Sequence, residues 1–124
     1  MSKIEQVGLQ IENNSIWSWW KNMVREKVVG NLMPNESRPQ ESLVIHWASV
    51  IIFDYHDTVY NGHLSADNRN PNDEDLDLFT EIIIAVLYKY DLIGEFDDFD
   101  KHYNRIKPDL KRRVEASDRY EKRN

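Results

Sequence analysis

The chain has 124 residues and a mass of 14.8 kDa, with 40% apolar residues, 31% charged residues and no cysteine. That size fits one domain with a single core, and the missing cysteine excludes a disulfide framework, a thiolate zinc site and a cysteine nucleophile. The net charge of −6 is unevenly placed: residues 1–100 hold 7 Lys+Arg against 18 Asp+Glu, a net −11, whereas residues 101–124 hold 9 against 4, a net +5. Such asymmetry marks an interaction surface, and a negative body is a poor partner for nucleic acid.

The start, Met1-Ser2-Lys3-Ile4-Glu5, lacks the basic and apolar regions of a signal peptide, so a cytoplasmic protein is expected. Residues 1–14 read as an N-terminal arm. Ser15 stands as an N-cap for a first helix, in which Trp17, Trp20, Val24 and Val28 recur at spacings of three and four before Gly30 closes it. At 100° per residue Trp19 points away from Trp20, which makes it either a second packing contact or an exposed anchor for a partner.

Ser37 and Gln40 have the spacing of a capping box, with Pro39 in the first turn. The run from Leu43 to Phe53 is apolar on nearly every face. It predicts a central buried helix from Gln40 to about Tyr60, with His46 as a core histidine. The run is too short to span a membrane. A long polar loop over 62–72 follows, containing Asp67.

The third helix opens on Asp73, Glu74 and Asp75, acids that suit the positive end of a helix dipole. Leu76, Phe79, Ile83, Val86, Leu87 and Tyr90 form its stripe, and Asp91-Leu92-Ile93-Gly94 ends it, giving a helix over 73–92. A fourth helix places Phe96, Phe99, Tyr103 and Ile106 on one side. Pro108 is expected to break or kink the chain there. The remainder, 108–124, is a basic C-terminal helix or tail that docks on the acidic body. The fold class is therefore all-α: a small single-domain bundle of four to five helices, with 40–60 and 73–92 as its core pair.

Catalytic patterns are sparse. The four glycines are scattered at positions 8, 30, 62 and 94, so no phosphate loop or nucleophile elbow exists. The cluster to test is His46, Asp54, His56, Asp57 and His63. Within it, Tyr55-His56-Asp57-Thr58-Val59-Tyr60 resembles the local motif of HD-type metal phosphohydrolases, over fewer than ten residues. The resemblance implies metal-dependent hydrolysis with His56 and Asp57 as ligands. That superfamily's pattern also needs a histidine on an earlier helix and an aspartate on a later one. No histidine precedes His46, which shares the helix of His56. Otherwise Asp54, His56 and Asp57 cap and solvate the helix end.

The expectation that composition favours is a non-enzymatic acidic module without a cofactor. It would mask or inhibit a basic protein partner such as a nuclease or nucleic-acid-handling effector, of immunity, antitoxin or phage anti-defence type. Its contact surface would be Asp67, Asp73, Glu74, Asp75 and Asp77, joined by Asp97, Asp98, Asp100 and Trp19. The alternatives are the HD-like hydrolase and a self-associating structural or assembly protein. Direct nucleic-acid or membrane binding is not expected, and the chain would be a monomer or homodimer.

Overall fold

Ser2 accepts the backbone N–H of Glu5 at 3.3 Å and so caps a first helix, α1, over Lys3–Glu12. Ile4, Val7 and Ile11 recur at spacings of three and four on its buried side. The segment read as an arm is thus a packed helix. Ten residues are too few to hold a helix in water alone, and packing supplies the stability.

The computed structural model describes residues 2–14, 17, 18, 21, 40–60 and 70–121. The expected caps at Ser15 and Ser37, the glycine stop at Gly30, Trp19, and the loop acid Asp67 lie outside these residues. Trp17 lies within them and is buried.

Three further helices follow: α2 over Glu41–Tyr60, α3 over Asp73–Lys89 and α4 over Phe99–Glu115. Among the described residues there is no strand and no helix long and apolar enough to cross a membrane. The all-α bundle read from the periodicity is the fold.

The centre is α3, not α2. It packs against α1, α2 and α4, and its six consecutive residues Ile82–Leu87 are all buried. An apolar circumference is what contact from three sides requires. The α2 helix packs on α3 and α4 and keeps an exposed side, on which His46 lies. His46 is therefore not a core histidine.

The ends of α3 are well determined. At its start Asn72 Oδ1 accepts the Asp75 N–H at 2.9 Å while Asp75 Oδ2 accepts the Asn72 N–H at 3.0 Å, a reciprocal capping box. At its end the Leu92 N–H donates to the Leu87 carbonyl at 2.8 Å and the Asp91 N–H to the Tyr88 carbonyl at 3.1 Å. This double closure is a Schellman motif, and it needs a left-handed residue, here Asp91 at φ 59°.

Pro108 does not end α4, which runs through it without interruption. Pro108 and Asn104, whose carbonyl loses its usual donor, are both exposed, so the missing bond falls on the solvent side of the helix. The stretch 108–115 is the second half of α4 rather than a separate element. The buried stripe is Phe99, Ile106, Leu110 and Val114. Phe96 is not on it: the helix begins only after the Asp98 cap, and Phe96 is 86% exposed on the preceding turn.

Candidate functional site

The basic C-terminal stretch is turned onto the acidic body. Lys107 Nζ lies 2.5 Å from Asp77 Oδ1 and 3.1 Å from Asp73 Oδ1. Tyr103 donates its hydroxyl to the same Asp77 oxygen. These bonds, Lys107 first, hold the Asp77 carboxyl below its ordinary range. Arg105 pairs with Glu41 at 2.7 Å, and Arg113 donates to Ser42 Oγ at 3.1 Å. Beyond the helix, Arg119 lies 2.8 Å from Asp54 and 3.5 Å from Asp57, with its guanidinium 5.0 Å from the Phe53 ring centre. Each exposed pair contributes little by itself, but together they set where α4 lies on α2 and α3. Two of the predicted contact acids, Asp73 and Asp77, are therefore already engaged by the chain's own lysine, while Glu74 is exposed.

Asp75 is not a surface acid. Its side chain is 8% exposed and its Oδ2 lies 2.6 Å from Nδ1 of His56, itself 1% exposed. The sequence places His56 at a solvated helix end, but its side chain turns inward onto Asp75 of α3. Asp57, next in sequence, is exposed and faces Arg119. The structure thus separates the two residues on which the HD-type resemblance depends. Among the described residues no group of three or more histidines and carboxylates is placed to hold a metal ion.

The remaining predicted acids shape the turn between α3 and α4. Asp97 Oδ2 accepts the Gly94 N–H at 3.0 Å and lies 3.2 Å from His102 Nε2. The Gly94 bond, then the His102 contact, lowers the Asp97 carboxyl from its ordinary value. Asp98 Oδ1 accepts the N–H groups of Asp100 at 3.0 Å and Lys101 at 3.3 Å, which caps α4. Asp100 reaches Lys3 at 3.4 Å and stays 75% exposed. These bonds fix the backbone on both sides of Phe96, an apolar ring standing in water between Glu95 and Asp97.

A groove of about 460 Å³ lies between α1 and the C-terminal end of α3. Gly8, Trp17, Ala85 and Tyr88 line it, and Glu5, Glu12 and Asp91 stand around it with Lys89. Sequence reasoning missed both Phe96 and this groove. For Phe96 the usable signal was Asp98, an N-cap residue that starts the helix after Phe96. For the groove the signal was the capping spacing of Ser2 and Glu5, which makes 3–12 a helix with a face to pack.

Comparison with protein-family models, with curated proteins and with solved structures finds no match, so function is argued from the geometry alone.

Proposed function

We propose that this chain is a non-enzymatic, acidic protein-binding module that masks a basic protein, such as a nuclease or another nucleic-acid-handling effector. The observation that carries the reading is Phe96, 86% exposed on a turn whose backbone Asp97 and Asp98 hold in place. A solvent-facing aromatic ring rimmed by charge is a liability for a free protein and an anchor for a bound one. The acids beside it in the chain are Glu95, Asp97, Asp98 and Asp100, of which Asp97 lies against His102 and Asp100 against Lys3. Negative charge around an apolar anchor steers a positive surface onto it and speeds association. Because the turn is preorganised, little ordering cost opposes binding.

Leu92, 36% exposed on the same turn, supports a second reading in which two copies of the chain meet there. One experiment separates the two. The tagged protein and its Phe96→Ala variant are used to capture partners at low salt from the cells that make the chain, and the mass of each is measured in solution. The module reading expects one basic protein, retained by the parent, released by salt and lost with Phe96→Ala. The variant should lose affinity about 30-fold, the size of a hot-spot effect, with unchanged folding. A doubled mass that Phe96→Ala restores to the single chain supports self-association. A single-chain mass with no retained protein overturns both.

A further inference from the structure

We infer that the groove between α1 and α3 is a binding site for an arginine side chain of a basic protein. The inference rests on the module reading above and names a second contact for it. Three observations converge. The first is charge: among the described residues Glu5 and Glu12 stand at the groove with one ammonium, Lys89. Among the described residues neither Glu5 nor Glu12 makes an ion pair, so a cation entering the groove finds carboxylates ready to receive it.

The second is the aromatic lining. Lys89 Nζ sits 5.4 Å from the Trp17 ring centre, within the range of a cation–π contact. The chain's own lysine thus shows what this lining attracts. A guanidinium is planar and less strongly hydrated than an ammonium, so it stacks better on an aromatic face while its N–H groups reach carboxylates.

The third is Gly8. A glycine inside a helix costs about 0.5–1 kcal/mol relative to alanine. Among the described residues nothing demands it here: a Cβ at Gly8 would meet Tyr88 Cδ2 at 3.8 Å, an ordinary contact. What the missing side chain provides is open space beside Tyr88.

The test uses the full chain labelled with ¹⁵N, titrated with hexa-arginine and, separately, hexa-lysine, and read by amide and indole shifts. Hexa-arginine should move Gly8, Trp17 and Tyr88 saturably, and hexa-lysine should bind more weakly. Gly8→Met fills the groove without changing charge and should remove the response, while Gly8→Ala reports whether α1 tolerates a side chain. Glu12→Gln, on an exposed position, should weaken binding without touching the core. Lys89→Gln frees the Trp17 face and should tighten binding about threefold, more than Lys101→Gln, the same charge change elsewhere. Shifts confined to other residues, equal binding of both peptides, or Gly8→Met and Glu12→Gln both without effect would overturn the site. Groove shifts with no protein captured from cells would instead overturn the module reading and leave the arginine site standing.

Discussion

Nδ1 of His56 lies 2.6 Å from Oδ2 of Asp75, and the two side chains are 1% and 8% exposed. The same oxygen accepts the Asn72 N–H, so one buried carboxylate joins the end of α2 to the start of α3. Removing either partner takes one hydrogen bond from a polar group held away from water. His56→Ala and Asp75→Ala should each lower unfolding free energy by about 2–4 kcal/mol in urea titrations. The double variant should lose less than the sum of the two, and strict additivity would show that the contact carries no coupling.

Tyr103 offers a spectroscopic check on the α3–α4 contact. Burial, with the bond to Asp77, pushes its phenol from 10 up to about 12, against the pull of Lys107. The folded state holds this proton more tightly than the unfolded chain. The resulting stability is complete below pH 10 and is lost as pH rises towards about 12. Absorbance titration should show one of the six tyrosines ionising last. Tyr103→Phe should delete that step and Asp77→Asn should move it back towards 10.

Asp77 has the opposite sign. Its carboxyl is depressed by Lys107 and Tyr103, so the stability it contributes is present above its ordinary value of 3.8 and is lost as pH falls through the lower folded value. The stability difference between the parent and Asp77→Asn should hold steady near neutrality and shrink only below that value. The side chain is 45% exposed, so solvent screens the effect and the difference is small.

Pro108 sits in the tenth position of α4 on the exposed side, with no N–H to donate to Asn104. Pro108→Ala restores that bond and removes the ring. It should stabilise the fold by roughly 1–3 kcal/mol, visible as a higher thermal midpoint with unchanged helicity. A lower midpoint would mean that the ring itself packs on something essential.

Asp91 holds φ 59° to close the Schellman turn after α3. Glycine adopts that conformation without its Cβ crowding the backbone. Asp91→Val, whose branched side chain suits that conformation poorly, should lower stability by about 1 kcal/mol or more in urea unfolding.

Much of the helical skeleton is local and was legible. The 3.6-residue stripe of Leu76, Phe79, Ile83 and Leu87, with the acids that open it, places α3 at Asp73–Lys89 against an expected 73–92. The apolar run after Gln40 likewise places α2 at Glu41–Tyr60. Periodicity and caps depend on neighbours within a turn or two, so the chain alone carries them.

Pairing across the fold is different in kind. Asp73, Glu74, Asp75 and Asp77 form one acidic cluster in sequence. Only packing decides that Asp75 is buried against His56, that Asp73 and Asp77 hold Lys107, and that Glu74 faces solvent. Phe96 likewise has helical spacing to Phe99, and the Asp98 cap alone removes it from the stripe. The sequence by itself determined an all-α chain, the helices that follow Gln40 and Asn72, and a basic end suited to an acidic body. Tertiary structure decided that α3 is the centre, that α1 packs on it, which carboxylates are engaged, and where an aromatic ring and a groove stay open. The physical reason is range: helix formation is settled over a few residues, whereas burial and ion pairing join groups dozens of residues apart.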